Sequence, residues 1–240
     1  MEDRFARQVG LVDTEKLESL GVTLIGAGSI GSFVAMVLAK MGVGHFVIYD
    51  SDKIEEHNLS NQLYPNELRG TEKSTALSEV LGVFSNSTCE AKPMYEGQPI
   101  NTDVVIVAVD SLEARKKIWD KVKSGGFRLY IDARMGGEAF RIYSFCLEEA
   151  KVRAYEESLQ GSGEDVPCTE RTILYNVGMV SSFVALFVKR FLTSDEIPFE
   201  VLGDLKNTIF SFNWDGDPLE GACTVKGEEP PEEDLVIPVD

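Results

Sequence analysis

Three glycines and three acids carry the strongest chemical signal in this chain. Gly26, Gly28 and Gly31 stand in G-x-G-x-x-G spacing, and Asp50 follows 19 residues after the last of them. Glycines so spaced let a backbone turn tightly and approach a phosphate. The start of a following helix offers unpaired N–H groups and a positive dipole, and an acid about 20 residues on suits ribose hydroxyls. Asp50 and Asp52 share one loop, and Asp110 ends a separate apolar run. Carboxylates gathered beside a phosphate site suggest Mg²⁺, which one or two carboxylates hold together with phosphate oxygens. Asp52 suits a turn equally well. The glycines alone leave NAD, FAD, S-adenosylmethionine and ATP open. Hydride transfer would want an acid–base partner, and the two histidines suit that role poorly. His45 sits in a turn before a strand and reads as structural, and His57 falls in the loop after Asp52.

These residues need elements to bring them together. VTLI (22–25) is a short apolar run leading into the glycines. Phe33, Val34, Val37, Leu38 and Met41 then recur at helical spacing until Gly42 and Gly44, and FVIYD (46–50) is a second buried strand. Leu77, Val80, Leu81 and Phe84 form the stripe of another helix. DVVIVAV (103–109) is a strand ending at Asp110, and Ser111 caps a helix with Ala114, Ile118 and Val122 inward. FRLYID (127–132) is a further strand. FRIYSF (140–145) alternates as its antiparallel partner across a turn at 135–137, and TIFSFNW (208–214) is a last strand. In a parallel sheet Asp50 and Asp110 fall on one carboxyl edge. The expected fold is α/β and Rossmann-like. Its sheet is mostly parallel with helices on both faces, and some antiparallel strands lie toward the C-terminal half.

The 240 residues are 43% hydrophobic and 26% charged, which suits a folded domain with a sizeable core. Lys+Arg number 23 against 40 Asp+Glu, a net charge of -17, so the field opposes nucleic-acid backbones and anionic membrane surfaces. Cys89, Cys146, Cys168 and Cys223 are widely spaced, with no C-x-x-C pair. That points away from structural zinc and toward free thiols in a cytoplasmic setting. MEDRFARQVG lacks the apolar region of a signal peptide. Residues 173–188 are nearly apolar but shorter than the ~20 residues of a membrane span. Asn176, Ser181 and Ser182 interrupt them, so they read as a helix in a core or subunit interface. The chain divides into a folded domain over 1–214 and a solvated acidic, Pro-containing tail over 215–240, which holds EEPPEED and then LVIPV.

Five motifs, in order, resemble the ThiF/MoeB adenylyltransferases, which share the adenylation domain of ubiquitin-activating enzymes. They are RFARQVG, GAGSIGS, DSDKIEEHNLSNQ, a lysine at 73 opening a helix, and VDSLEAR. The resemblance runs from about Arg4 to about residue 192. It implies ATP and Mg²⁺, a homodimer, and adenylation of the C-terminal carboxylate of a small ubiquitin-like protein or peptide ending in glycine, with release of pyrophosphate. On the matching positions, Arg7 is the arginine that reaches into the neighbouring subunit's site, and Asp50 is the ribose acid. Asn58 and Gln62 belong to the N-L-x-R-Q segment near the phosphates, and Lys73 neutralises the α-phosphate. Asp110 positions Mg²⁺, and Arg115 is the arginine of that motif, equally suited to pairing with an acid.

Cys168, in VPCTERT, stands where thiol-transferring members carry a nucleophile, with Arg171 and a helix start favouring thiolate. Two departures stand out. Asn61 replaces the arginine of N-L-x-R-Q, and the zinc cysteines of many members are absent. Attack of a carboxylate on an α-phosphate sets anion against anion, so cations at phosphorus are needed, and Arg7, Lys73 and Mg²⁺ would supply them. The competing readings are a non-catalytic nucleotide-binding subunit and an adenylating enzyme that modifies transfer RNA.

Overall fold

Strands that are apolar on both faces must be covered on both faces, and that requirement sets the layers of this molecule. The computed structural model describes residues 4–160 and 172–215. The chain runs α1 (Thr14–Ser19), β1 (Gly21–Ile25), α2 (Ser29–Met41), β2 (His45–Tyr49), α3 (Lys73–Phe84), β3 (Thr88–Lys92), β4 (Val104–Val107) and α4 (Leu112–Val122). It continues with β5 (Leu129–Gly136), β6 (Ala139–Phe145), α5 (Glu149–Ser158), α6 (Leu174–Thr193), β7 (Glu200–Asp204) and β8 (Ile209–Asn213). One eight-stranded sheet has the order β3-β2-β1-β4-β5-β6-β7-β8. Its first five strands are parallel and the last three antiparallel, as the sequence predicted.

Alternate residues of the central strands feed two cores. Val22, Leu24, Val104, Ile106, Leu129 and Ile131 join Val34 and Leu38 of α2, Leu77 and Leu81 of α3, and Val180 and Val184 of α6. Ile25, Val105, Val107 and Tyr130 turn the other way, toward Ile118 and Trp119 of α4 and Tyr155 of α5. Trp119 meets Tyr130 and Tyr155 edge-on, with ring centroids 4.9 and 5.1 Å away, and its indole N–H donates to Glu156 at 2.9 Å. A buried indole is satisfied in this way without exposing its ring.

Some boundaries moved. The hairpin reverses at Gly137 and Glu138, because Gly136 still pairs with Ala139; Gly137 supplies the positive φ, 58°. Phe84 is 43% exposed and ends α3 without entering the core. On α4 the buried position is Arg115, and Ala114 is half-buried. The strands β3 and β7 carry no apolar run of their own and are fixed by ladders to their neighbours. Helix α5 is mostly polar and buries Tyr155. By length and composition α6 could cross a membrane. Its inner face, with Val177, Val180, Val184, Phe187 and Val188, fills the core, as expected of a core helix, while Leu174, Tyr175, Met179 and Leu186 remain exposed.

Candidate functional site

The sheet order reverses direction between β1 and β4, so the loops leaving their carboxyl ends diverge and open a crevice. Each of the three glycines in the β1 loop meets a different demand. Gly26 has φ 99°, and a Cβ there would come within 2.5 Å of the Ala108 carbonyl oxygen. A Cβ on Gly31 would strike the Gly26 carbonyl, so close packing of α2 on the loop requires glycine. At Gly28 the nearest atom to such a Cβ is Gln62 Nε2, 4.0 Å away, so the backbone there is open to a ligand. Gly28 is the N-cap of α2 and, having no side chain, caps none of its N–H groups, so among the described residues the first N–H groups of that helix are available to an anion.

Asp50 is the first residue beyond β2. One carboxylate oxygen accepts the Ala27 N–H at 2.7 Å and the other accepts the Asp52 N–H at 2.8 Å. Ser74 Oγ donates to the Asp50 carbonyl at 2.9 Å. Asp50 therefore ties the glycine loop to the start of α3. Burial pushes its carboxyl up, against the pull of those two N–H donors and of Lys73.

Lys73 opens α3. It is only 7% exposed, and its Nζ lies 3.0 Å from Oδ2 of the exposed Asp52. The lysine is enclosed while its carboxylate partner is open to solvent. Asp52 is thus the partner of Lys73. Among the described residues no three His, Cys, Asp or Glu side chains form a metal-holding group. Asp110 is exposed, three residues past the end of β4. That donor set does not make an all-protein cage. It fits the small ion that one carboxylate shares with phosphate oxygens.

Asn58 is buried. Its Oδ1 accepts the Glu55 N–H at 2.9 Å, closing a reciprocal cap, and its carbonyl accepts the Gln62 N–H at 2.9 Å. Asn58 shapes the turn, and Gln62 is the side chain that turn delivers beside Gly28. Asn61 Oδ1 and Gln62 Oε1 are buried without a hydrogen-bond partner among the described residues. No motif or spacing points to Tyr64. Its buried hydroxyl donates to the Ala27 carbonyl at 2.5 Å and lies 3.3 Å from the Lys73 carbonyl, joining the glycine loop to α3; burial keeps the phenol protonated. Ser32 Oγ accepts the Leu63 N–H at 3.1 Å and fixes the same segment to α2.

Arg115 is an ion-pair residue. It pairs with fully buried Asp132 and donates to the carbonyls of Val109 and Ala133, bracing the chain just before Asp110. Asp132 also accepts Arg134 Nε and the Tyr155 hydroxyl, each at 2.9 Å. Arg7 is exposed in a one-turn helix, Ala6–Gln8. Its neighbours bind the far end of α2: the Phe5 ring lies on Gly42, and Gln8 Nε2 reaches the Met41 carbonyl at 3.5 Å. The glycines are at the other end of that 13-residue helix, about 20 Å away. The crevice of a single chain therefore brings together Asp50, Lys73, Gln62 and the glycines, with Asp110 on the neighbouring strand end, and does not include Arg7.

Cys168 and Arg171 lie outside the described residues, as does the tail from 216 on. Thr172 bridges to Gly137 at the tip of the β5–β6 hairpin. Cys89 and Cys146 are free thiols pushed up by burial, Cys89 to about 11, which suits packing residues. His45 lies 3.0 Å from Thr88 Oγ1, a structural contact, and His57 is exposed beside Glu55.

The sequence pattern of the ThiF family matches residues 3–214. Ubiquitin-like modifier-activating enzyme 5 of Rattus norvegicus is 28% identical over 134 residues, 47% of this chain and 33% of that protein. The Drosophila virilis enzyme of the same name is 27% identical over 127 residues, 44% and 31% of the two chains. The matches thus span about a third of the length of these relatives. Among solved structures, E. coli MccB with MccA superposes with a TM-score of 0.70 at 17% identity, covering 93% of this chain and 74% of that one. PaaA gives a TM-score of 0.69 at 18% identity, over 89% and 82%. E. coli MccB with ATP gives 0.64 at 18%, over 88% and 68%. At these identities the structural likeness speaks for the fold.

Proposed function

Because this chain belongs to the ThiF family, we propose that it adenylates the C-terminal carboxylate of a peptide or small ubiquitin-like protein at the β1–β4 crevice, consuming ATP and releasing pyrophosphate. The observation that carries this is the buried Lys73 ammonium, held where the Asp50 loop meets the open backbone of Gly28. Phosphate oxygens take the N–H groups at the start of α2, and ribose hydroxyls take the lone pairs that Asp50 does not spend on Ala27 and Asp52. Lys73 turns from Asp52 to the α-phosphate and lowers the repulsion that an incoming carboxylate meets. The carboxylate oxygen bonds to the α-phosphorus, the bond to the β-phosphate oxygen breaks, and pyrophosphate leaves with the electron pair. Mg²⁺ at Asp110, when bound, would offset charge on the departing phosphates. Arg7 would come from a second copy of the chain, since its own crevice lies beyond its reach. After adenylation the Cys168 thiol would attack the acyl carbon, its proton leaving to solvent, to form a thioester as the bond to the AMP phosphate oxygen breaks and AMP departs; a persulfide there would instead need a separate persulfide donor to hand over its outer sulfur and keep a thiol. The setting for this chemistry is cytoplasmic.

Two kinds of relative support the reading without fixing the substrate. One carries ubiquitin-like modifier activation in its name, and the other has been solved with MccA and with ATP. A non-catalytic nucleotide-binding subunit is the second reading, favoured by Asn61 in the place of a phosphate-binding arginine.

The test has two steps. Calorimetry should show ATP binding, strengthened by Mg²⁺ and weakened in Asp110→Ala, and no comparable NAD binding. ATP–pyrophosphate exchange should then be stimulated by Gly-terminated peptides or proteins with a free carboxylate and not by their C-terminal amides. ATP binding with no exchange for any acceptor supports the non-catalytic subunit, and NAD binding alone removes both readings.

A further inference from the structure

The most exposed large apolar side chains among the described residues are Val83, at 78%, Val9, at 77%, and Leu11, at 69%. Two of them project from one turn. The Leu11 N–H donates to the Gln8 carbonyl at 3.0 Å, and Gly10 between them takes the positive φ, 81°, that such a turn requires. The third belongs to a groove. Val80, Val83 and Phe84 of α3 form one wall, and Leu63 and Pro65 form the other. The space between them is about 430 Å³, a size that takes a bound apolar group larger than one side chain. Single exposed apolar residues are ordinary on a protein surface, but a projecting pair beside an open apolar groove calls for a partner.

We propose that the Val9–Leu11 turn of a second copy of this chain fills the groove, and that the reciprocal contact forms across a two-fold axis. Turn and groove adjoin the same end of α2. The Phe5 ring lies on Gly42 and Gln8 reaches the Met41 carbonyl, while Lys40 Nζ lies 5.0 Å over the Phe84 ring. Within one chain Val9, Leu11 and Val83 all stay exposed, so the turn does not cover its own groove. A surface that carries both halves of a contact is self-complementary, and a two-fold axis pairs each half with the other.

Charge is complementary as well. Arg4 and Arg7, just before the turn, are exposed and pair with no acid among the described residues. Glu67, two residues past Pro65, and Glu79, one residue before Val80, are exposed and pair with no cation among them. Cations on one side of a contact and acids on the other fix its register and reject wrong partners. Gln62 also lines the groove, and its buried Oε1, without a partner among the described residues, can accept an arginine N–H. Gln62 Nε2 is the atom nearest to a Cβ built on Gly28, so the groove adjoins the crevice. A turn seated there brings Arg7, two residues before Val9, toward the crevice of the other copy. That consequence rests on the proposed function, and the contact itself does not.

Sedimentation velocity on the full chain tests this over a concentration series, with no nucleotide or acceptor present. The unmodified chain should be a dimer. A turn variant, Val9→Asp with Leu11→Asp, and a groove variant, Val83→Asp, should each raise the dimer Kd about a hundredfold. Their melting temperatures as monomers should match each other, because all three positions are exposed. An equimolar mixture of the two variants should recover dimers where neither does alone, since one unmodified turn then meets one unmodified groove. A monomeric unmodified chain would overturn the proposal. So would variants that dimerise as tightly as the unmodified chain, because the contact would then lie elsewhere, as on the exposed side of α6. So would a mixture without recovery, because turn and groove would not be each other's partners. None of these readings depends on ATP, so a failed contact and a failed adenylation reading are told apart.

Discussion

At Lys73 a single ammonium has been made scarce and placed. Its burial, its 3.0 Å contact with Asp52 and its position at the first turn of α3 hold it beside the Asp50 loop. Lys73→Ala should therefore lower the adenylation rate about 10²–10³-fold, measured as pyrophosphate exchange, with ATP affinity changed far less. An enzyme turning over normally without it would remove Lys73 from the mechanism. The glycines allow a sharper contrast. Gly28→Ala adds a methyl group to open space and should fold normally while weakening ATP binding. Gly31→Ala drives a methyl into the Gly26 carbonyl and should lower the melting temperature as well. If both variants bind ATP like the unmodified chain, the phosphates do not lie there.

Thiols offer a third residue-scale check. Burial disfavours the thiolate and pushes Cys89 up to about 11. At pH 8 it should hold roughly a hundredfold less thiolate than an ordinary cysteine and resist alkylation accordingly. Labelling should accelerate as pH rises toward that value, and mass spectrometry of the peptide bearing Cys89 would show it.

At the scale of elements, the acid at the end of β4 is positioned from the next strand. Arg115 on α4 joins Asp132 on β5 to the carbonyl of Val109, one residue before Asp110. α5 joins through Tyr155, whose hydroxyl reaches Asp132 and meets that of Tyr130 at 3.1 Å. Removing the acid leaves buried guanidinium groups without their counter-charge, so Asp132→Ala should cost about 3–5 kcal/mol of stability. Urea unfolding followed by tryptophan fluorescence would measure this, with Trp119 in the same core as the reporter. A loss below 1 kcal/mol would mean that the loop is held by other contacts. None of this is visible in VDSLEAR, where Arg115 reads as a contact to substrate or to an unnamed acid. Asp132 is 17 residues further on, in a strand that announces itself only as apolar.

At the scale of the whole molecule, Arg7 and the crevice sit at opposite ends of α2. If the arginine serves a neighbouring copy, Arg7→Ala and Lys73→Ala chains should each be inactive alone and regain activity when unfolded and refolded together. In a statistical mixture of two-fold dimers, about a quarter of the sites would be intact. No recovery, with both variants confirmed as dimers by light scattering, would refute delivery in trans. The exposed outer side of α6, with Tyr175, Met179 and Leu186, is the surface to examine for that contact.

The sequence by itself determined the order of the apolar strands and helices, the parallel character of the central sheet, the glycine loop and the two strand-end acids. Those features rest on local physics: period-2 and period-3.6 burial, and the conformations that only glycine adopts. The tertiary structure alone decided which polar groups meet. Lys73 reaches Asp52 across 21 residues, Tyr64 reaches Ala27 across 37, and β3 and β7 exist as strands because neighbours pair with them. Such contacts depend on where distant segments come to rest once both cores are filled. A one-dimensional pattern records the need for a partner without recording which residue meets it.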